Sequence, residues 1–328
     1  MGSIPIDPQG PTRIVVTGAS GFIGDRVVAK LEGAGHDVVA IGHPRDSNAQ
    51  EKNDKRLSID LVASAELAQV LAGARYVVHL AARSGGVTVQ TREPLETFVH
   101  NIQVTANVLR ASAAAGVKRL FLASSAVVYR PLKRHISETD PTLGLADGPS
   151  GYAWSKICDE VQVGWKAKDL DVVVGRFTNV YGTGGGGRST VIHDLVDRAL
   201  AAAPDGILTV WGRGDVVRSF INVEDAARAV VLVTTRGERG HTYNIDSGEG
   251  VTIGDLAAIV RDLVSPSIQI RFDPTRPTGD PYRVLNPERL NSLGFQPQVA
   301  LKDGLSEVVS VTKPRAVKGS LDSNESRI

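Results

Sequence analysis

The sequence predicts an α/β fold in which a doubly wound parallel sheet carries a smaller C-terminal lobe. Apolar, strand-like runs alternate with amphipathic helical segments up to about residue 175. A glycine-rich turn joins the first strand to the first helix, and beyond residue 175 the alternation becomes irregular and rich in Gly and Pro. Alternation at this spacing is typical of parallel strands covered by helices on both faces.

The predicted elements of the sheet follow one another in a regular order. The strand "RIVVTG" leads into the helix "GDRVVAKLEGAG", which ends at Gly35, and "DVVAI" is the second strand. The helix "SAELAQVLAGA", the strand "YVVHLAA", a long helix closed by Gly116 and the strand "RLFLASS" come next. Glycine commonly ends helices because it adopts left-handed backbone angles without steric cost.

These patterns divide the chain into two unequal parts. We predict a nucleotide-binding type of domain over residues 12–175 and a lobe over residues 176–313 that is interleaved with the sheet. Residues 1–11 and 314–328 are polar or lack periodicity, and we expect them to be disordered tails.

Composition excludes several classes of function. The 328 residues are 42% hydrophobic and 22% charged, with a formal net charge of +1, which does not favour a nucleic-acid partner. No apolar run approaches the ~20 residues that span a bilayer, and the N-terminus lacks the pattern of a signal peptide. The single cysteine, Cys158, excludes an internal disulfide and a cysteine cluster for a metal. We therefore expect a cytoplasmic protein with no membrane, nucleic-acid or metal partner.

The first chemical motif is the stretch "TGASGFIG". Its glycines, Gly18, Gly21 and Gly24, directly follow the first strand and open the first helix. Glycines in this context let the backbone approach a pyrophosphate at the positive end of the helix. The motif predicts a Rossmann-type dinucleotide site with Phe22 and Ile23 as further cofactor contacts, and its alternative is a tight turn between strand and helix.

The end of the second strand bears on the choice of dinucleotide. NAD binders commonly place an acid there, whereas an arginine nearby accommodates the additional phosphate of NADP. In "DVVAIGHPRD" the acid position holds Gly42, and Arg45 follows. We predict NADP, with NAD possible if Arg45 is only a solvated charge. Asp60, Leu61 and Ala81 complete the predicted cofactor contacts, although Asp60 also fits a surface turn.

The second chemical motif is Tyr152-Ala-Trp-Ser-Lys156. Residues four apart lie on one face of a helix. The tyrosine pKa of ~10 must fall by ~3 units for acid–base work near neutral pH. A lysine ammonium and an oxidised nicotinamide both favour the phenolate. Ser125, at the end of a strand, is predicted to hydrogen-bond the same substrate oxygen. Such a Tyr–Lys pair arises by chance in many helices. We interpret it as catalytic here because the glycine turn of a nucleotide-binding fold precedes it.

The combined motifs resemble the extended short-chain dehydrogenase/reductase family, whose members are NAD(P)-dependent nucleotide-sugar epimerases, dehydratases and reductases. The resemblance covers about residues 12–313. It rests on "TGASGFIG", "HLAA", "SSAVVY", "YAWSK", "GRFTNVYG", "VWGRGDVVRSFINVEDAA" and "YNIDSGEG".

The resemblance implies roles for particular residues and a nucleotide-sugar as substrate. It makes Ser125, Tyr152 and Lys156 catalytic. It implies that the C-terminal lobe binds the substrate and that the contacts are Ser124, Asn179, Arg218 and Arg276, the two arginines on the diphosphate. His79 and His193 are expected to be structural.

The resemblance also implies a homodimer built from the long helix at 97–115 and the helix of Tyr152. Val99, Ile102, Ala106, Ile157 and Val161 lie on their outward faces among polar residues. This pattern is compatible with burial against a second copy.

The two residues after Ser125 narrow the reaction. In the family that the chain resembles, the 4,6-dehydratases have two acidic residues at these positions, and the sugar-acid decarboxylases have a glutamate there. This chain has Ala126 and Val127, neither of which can move a proton. Dehydration and decarboxylation are therefore disfavoured.

Within the family the pattern resembles the branch of GDP-fucose synthases and GDP-mannose 3,5-epimerases. Those enzymes place a cysteine where Val127 stands and a second acid in the loop that here reads "GGGGRSTVI", with Thr190 at the histidine position. The chain keeps the groups for hydride transfer and lacks those for carbon-acid chemistry. We predict an NADPH-dependent reductase of a nucleotide-linked 4-keto sugar. The alternatives are a 4-epimerase with tightly bound NAD and a non-catalytic cofactor sensor, which the retained catalytic residues disfavour.

Overall fold

A seven-stranded sheet forms the centre of the protein. The computed structural model describes residues 10–42, 56–63, 65–84, 92–148, 150–184 and 191–325, with side chains up to residue 313. In the described chain every pairing in this sheet is parallel, in the order β10-β6-β5-β4-β1-β2-β3. The strands are β1 (Arg13–Thr17), β2 (Asp37–Gly42), β3 (Arg56–Ser58), β4 (Tyr76–His79), β5 (Arg119–Ser125), β6 (Asp171–Phe177) and β10 (Thr242–Ile245).

Helices cover both faces of this sheet. They are α1 (Phe22–Gly33), α2 (Leu67–Val70), α3 (Pro94–Ala114), α4 (Gly151–Lys166) and α6 (Val223–Arg236). Successive residues of β1 enter different cores, because side chains alternate along a strand. Ile14 and Val16 pack with α1 and α6, whereas Val15 packs with α2 and α3. The doubly wound α/β class that the sequence predicts is confirmed.

A smaller lobe follows β6 and has its own core. Its strands are β7 (Asn179–Tyr181), β8 (Ile207–Trp211), β9 (Val217–Asn222), β11 (Gly250–Thr252), β12 (Gln269–Asp273) and β13 (Tyr282–Arg283). Its helices are α5 (Val191–Ala202), α7 (Ile253–Val264), α8 (Glu288–Ser292) and α9 (Leu301–Glu325). Ile192, Leu208, Leu256 and Leu305 are fully buried together in the core of this lobe.

The chain returns from the lobe to the sheet domain after residue 175. Both β10 and α6 come after residue 175, yet β10 pairs with β6, and α6 packs in the same core as α1. At the C-terminus α9 continues to Glu325, so the segment for which we expected disorder is helical through most of its length. The apolar periodicity of this helix ends before its backbone does, which is why the sequence pattern predicted an earlier end.

Over the described ranges, no helix combines the length and the apolar character needed to cross a bilayer. The cytoplasmic location stays a prediction.

Candidate active site

The glycine turn brings the backbone of β1 against the end of β4. Gly18 has φ +69°, and a Cβ atom on it would lie 2.7 Å from the backbone nitrogen of Ala81. A Cβ on Gly24 would lie 2.1 Å from the Gly18 carbonyl oxygen. Side chains are therefore excluded at both positions for steric reasons, which leaves an open backbone surface at the start of α1.

This exposed backbone continues into the first turn of α1. Gly21 is the N-cap of α1 and provides no side-chain hydrogen bond to the helix. The first N–H groups of the helix, which include those of Phe22 and Ile23, have no intrahelical partners and suit an anionic group. A cleft of about 700 Å³ follows from here, and Gly18, Gly21, Gly42, Asp60, Leu61 and Ala81 lie along it.

The far end of the cleft lies beyond β2 and β3. Gly42 ends β2, and the exposed Asp60 accepts a hydrogen bond from the Val62 backbone N–H at 2.9 Å. The Asn107 amide of α3 donates to the carbonyl oxygens of Leu61 and Val62 at 3.0 and 2.9 Å and so fixes this turn. Arg45, the predicted phosphate contact, lies outside the described residues.

The shape of this cleft fits a dinucleotide. It starts at the N-terminus of α1, passes over Gly18, where a side chain would clash with the backbone of Ala81, and ends beside the Asp60 carboxylate. These are the features that bind a pyrophosphate and, further along, an adenosine.

Ser125 and Tyr152 are held by two local caps. Ser125 ends β5, and its Oγ accepts a hydrogen bond from the Val127 N–H at 3.3 Å, which starts a short 3₁₀ turn. The Ser150 hydroxyl caps α4 by accepting from the Ala153 N–H at 3.2 Å. A Cβ on Gly151 would lie 2.1 Å from the Pro94 carbonyl oxygen, so the first turn of α4 lies directly against α3. Tyr152 therefore stands on a tightly fixed turn.

Lys156 lies one turn further along α4 and is buried. Its Nζ donates to the Ala123 carbonyl oxygen at 3.0 Å and to Asp159 Oδ2 at 3.1 Å, and it lies 6.0 Å from the centre of the Tyr152 ring. Burial works to lower the pKa of Lys156. The opposite charges of Asp159 and Tyr152 outweigh burial, and the pKa lies above its usual value.

His79 is a structural residue in this arrangement, in agreement with the sequence interpretation. Its Nδ1 is 2.7 Å from the Thr17 hydroxyl, and its Nε2 is 3.4 Å from the Thr105 hydroxyl. Burial, reinforced by the charge of Lys156, lowers the pKa of His79 to about 3. The ring is therefore neutral over the working pH range.

Ser124 does not have the surroundings that we predicted for a substrate contact. It is buried, and its hydroxyl donates to Glu160 Oε1 at 2.5 Å. Glu160 also receives Arg176 in a two-bond ion pair at 2.9 and 2.6 Å, and the Arg176 guanidinium lies 4.6 Å from the centre of the Tyr129 ring. Neighbouring residues of a strand point to opposite faces, so Ser124 faces this network and Ser125 points away from it. The Ser124 hydroxyl is thus engaged by Glu160 in this structure, and its role as a substrate contact stays a prediction.

Two predicted substrate residues lie at the edge of the lobe. The Asn179 amide donates to the Ser219 carbonyl oxygen at 3.0 Å. Arg218 is half-buried on β9, where burial and, after it, the charge of Arg283 lower its pKa. A guanidinium that is both partly desolvated and close to another cation favours an anionic partner.

Arg283 lies beside the predicted substrate residue Arg218, and the sequence reasoning did not single it out. It lies on β13, whose parallel pairing with β9 sets Arg283 opposite Arg218. Arg283 forms an ion pair with Asp280 and donates to the Ala126 carbonyl oxygen at 3.3 Å, directly after Ser125. The only signal in the sequence was an arginine within the short apolar run "YRVL", and spacing alone does not connect it with Arg218.

Arg276, which we predicted as the second diphosphate contact, occupies a different environment. It is exposed, its guanidinium lies 5.6 Å from the centre of the Trp211 ring, and it is 3.7 Å from Asp273. The second cation beside Arg218 is therefore Arg283. Of the remaining predictions, Thr190 lies outside the described residues, and His193 Nε2 is 3.3 Å from the Gly182 carbonyl oxygen.

Comparison with known proteins places this site in a family. Residues 14–246 match the model of the family described as "NAD dependent epimerase/dehydratase family". Three curated relatives resemble most of the chain. GDP-L-fucose synthase 1 of Arabidopsis thaliana is 30% identical over 90% of this chain and 91% of its own length. GDP-mannose 3,5-epimerase 1 of Oryza sativa subsp. japonica is 29% identical over 91% and 81%. The dTDP-4-dehydro-6-deoxy-D-allose reductase of a Streptomyces species is 29% identical over 90% and 94%.

Solved structures show the same relationship. MoeE5 in complex with UDP-glucose and NAD superposes with a TM-score of 0.76 at 26% identity, covering 93% of this chain and 99% of that one. UDP-glucose 4-epimerase of Thermotoga maritima, with UDP-glucose, has a TM-score of 0.78 at 25% identity and the same coverage. The resemblance predicted from the motifs is confirmed, including the branch of fucose synthases and 3,5-epimerases. The chain belongs to the NAD dependent epimerase/dehydratase family and is an NAD(P)-dependent enzyme of the extended short-chain dehydrogenase/reductase type.

Proposed function

We propose that this protein is an NADPH-dependent reductase of a nucleotide-linked 4-keto sugar. The observation that carries the proposal is the set Ser125, Tyr152 and Lys156, followed at the end of β5 by the inert side chains Ala126 and Val127. The chain thus has the groups for hydride transfer at a carbonyl and lacks an acid beside them. The similarity to a 4-dehydro-sugar reductase over 90% of the chain supports the same reaction class.

The residues divide the work of the reduction between them. The nicotinamide of a dinucleotide bound at the glycine turn would supply the hydride to the carbonyl carbon. Tyr152 gives its proton to the carbonyl oxygen, and Ser125 donates a hydrogen bond to the same oxygen. The Lys156 ammonium, 6.0 Å from the Tyr152 ring, stabilises the phenolate that remains after the proton has moved.

The substrate is held through its diphosphate. Arg218 and Arg283 lie on paired strands, and their mutual repulsion falls when an anion binds between them. Arginine binds phosphate oxygens with two parallel hydrogen bonds, which fixes orientation as well as charge. Because Arg283 also contacts the carbonyl of Ala126, this anchor is coupled to the strand end that carries Ser125.

The choice of NADPH over NADH is part of the proposal. Gly42 ends β2 without a carboxylate, so nothing on that residue repels a 2′-phosphate. Arg45 follows three residues later in the sequence. Both features favour the phosphorylated cofactor.

A second candidate is a 4-epimerase with tightly bound NAD. It is favoured by the structural likeness to a UDP-glucose 4-epimerase at a TM-score of 0.78. An epimerase would use the same Ser125, Tyr152 and Lys156 to oxidise and re-reduce one carbon. The two candidates differ in net consumption of the reduced cofactor.

The deciding experiment incubates the purified protein with a 4-keto nucleotide-sugar and NADPH in deuterated buffer. We expect one NADPH consumed per product and no enzyme-dependent deuterium at C3 or C5. Tyr152→Phe should lower kcat by about 10²–10⁴-fold, the usual contribution of general acid catalysis, and leave the Kd for NADPH nearly unchanged. Enzyme-dependent deuterium at either carbon would contradict the proposal. Conversion of a 4-hydroxy nucleotide-sugar into its C4 epimer without NADPH loss would establish the second candidate.

We also propose that the enzyme is a homodimer that pairs α3 and α4 with their counterparts. A groove of about 700 Å³ runs between these helices, lined by Ile102, Ala106, Cys158, Val161 and Trp165 among others. Trp165 is 77% exposed and Val161 is 45% exposed, which leaves large apolar surfaces on this face. A second copy on the same face would cover them.

A further inference from the structure

Asp159 is a carboxylate that the proposed reaction does not yet use. It lies on α4, three residues after Lys156, and it is fully buried. Its Oδ2 is 3.1 Å from Lys156 Nζ, and the two side chains are 0% and 4% exposed. The counter-ion of Lys156 is therefore inaccessible to solvent.

We infer that Asp159 is a positioning residue that keeps the Lys156 ammonium charged and fixed beside Tyr152. This inference rests on the proposed function, because it assigns Asp159 a role in the proton transfer by Tyr152. Asp159 acts only through Lys156 and has no contact with the reacting atoms.

The geometry of Lys156 supports this role. Its Nζ donates to two protein acceptors, the Asp159 carboxylate and the Ala123 carbonyl oxygen at 3.0 Å. These two acceptors come from α4 and from the strand that carries Ser125. The ammonium is thus fixed relative to both Ser125 and Tyr152 before any ligand arrives, which is the kind of preorganisation that active sites require.

The energetics also point to function rather than stability. Removing two charges from water is costly, and a single contact often returns less than that cost. Among the residues that the structure describes, Asp159 Oδ1 has no partner at ordinary hydrogen-bond geometry, although the Thr105 hydroxyl is near enough to help lower the pKa of Asp159. An uncharged, well-packed pair would avoid this cost. The pair is consistent with a requirement for a charged lysine at this position.

Among the described titratable groups near Lys156, Asp159 is the one that balances the lysine charge. On β4, His79 is neutral, since burial lowers its pKa to about 3. On α4, Tyr152 lies beside Lys156, and Glu160 is already paired with Arg176. Burial by itself would lower the pKa of Lys156. The charge of Asp159 is the strongest influence that opposes burial, and the resulting pKa lies above the usual lysine value. Burial correspondingly raises the pKa of Asp159, which Lys156 opposes.

The same helix region offers a matched control. Lys166 and Asp169 form a second pair with the same sequence spacing and the same distance of 3.1 Å, but their side chains are 32% and 60% exposed. Asp169→Asn removes the same charge from a pair that water solvates. It reports what the loss of one carboxylate does when no buried lysine depends on it.

The test compares the parent with Asp159→Asn and Asp169→Asn in the full-length protein. The Nζ resonance of Lys156 is followed by NMR against pH and assigned by its loss in Lys156→Arg. Burial lowers the pKa of a lysine, so Lys156 should titrate at a clearly lower pH in Asp159→Asn, which lacks the opposing charge, than in the parent. Asp169→Asn should behave like the parent.

The reaction supplies a second readout. In Asp159→Asn, kcat should fall about tenfold for each pH unit above the new lysine ionisation, with a smaller change at low pH where Lys156 is protonated. Asp159→Glu, which keeps the charge, should restore part of the parent profile. A loss of kcat that is equal at every pH would show a merely structural role and overturn the inference, as would an unchanged Lys156 titration. Because the NMR titration needs no substrate, it tests Asp159 even if the proposed reductase activity fails.

Discussion

Arg218 and Arg283 lie opposite each other on the neighbouring parallel strands β9 and β13, and burial, followed by the charge of Arg283, lowers the pKa of Arg218. Asp280 balances Arg283, whereas burial of Arg218 removes part of its hydration. Two guanidinium groups held opposite each other by strand register would suit an anion, and this supports the proposal that Arg283 accompanies Arg218 at the diphosphate. The role predicted for Arg276 stays a prediction.

The first prediction separates these two arginines. Arg283→Ala should raise the Kd for a nucleoside diphosphate by about 10- to 100-fold, since a hydrogen bond to a charged group contributes ~1.5–3 kcal/mol. Arg276→Ala is the matched control and should change the Kd by a much smaller factor, because its guanidinium stacks on Trp211. Both Kd values are measured by titration calorimetry. A larger loss in Arg276→Ala than in Arg283→Ala would restore the assignment made from the sequence.

The second prediction concerns cofactor choice. The parent should bind NADPH more tightly than NADH, and Arg45→Ala should weaken NADPH by about 10- to 100-fold with little effect on NADH, because the lost bond is to a charged phosphate. Arg56→Ala serves as the control, since Arg56 lies at the start of β3 and is 3.9 Å from Asp25. Fluorescence titration of both nucleotides gives the dissociation constants. Equal affinities of the parent for the two cofactors would remove the case for NADP.

The third prediction concerns assembly. Trp165→Asp should shift the protein from dimer to monomer, because it places a charge in the apolar groove between α3 and α4. Leu145→Asp is the control. Leu145 is even more exposed, at 87%, but it lies in a separate 3₁₀ turn. Light scattering at micromolar concentration measures the mass, and a monomeric parent would contradict the proposed homodimer.

The fourth prediction is a pH dependence of stability caused by His79. Its folded pKa of about 3 lies below the ordinary histidine value of 6.5, so the unfolded chain takes up a proton first as the pH falls. The free energy of unfolding should therefore decrease below about pH 6.5, by up to ~1.4 kcal/mol for each pH unit from this one residue.

Denaturant unfolding at several pH values measures this slope. His79→Asn, which keeps a polar partner for Thr17, should show a shallower slope than the parent between pH 6 and pH 4. His241→Asn is the control, because His241 is 45% exposed and its side chain is solvated. A slope in His79→Asn that equals that of the parent would mean that other groups cause the acid sensitivity.

The sequence by itself determined the features that depend on neighbours along the chain. The glycines at 18, 21 and 24 could be predicted from the sequence because they lie between a strand and a helix. The structure then shows the close backbone approaches that exclude a side chain at Gly18 and Gly24. The spacing of Tyr152 and Lys156 places both on one face of a helix wherever that helix packs. Strand–helix alternation was sufficient for the fold class because each segment has its own periodicity.

Tertiary structure alone decided the contacts that join distant segments. Arg283 comes to lie opposite Arg218 through the register of β13 with β9, which sequence spacing does not encode. The Ser124 hydroxyl donates to Glu160, which lies on another element, and the sequence pattern did not predict this contact. Asp159 and Lys156 are neighbours on a helix in any fold, but only the packing of α4 against the sheet excludes water from them and makes their charges interdependent. Burial and strand pairing arise from the whole chain, and for that reason local patterns could not predict them.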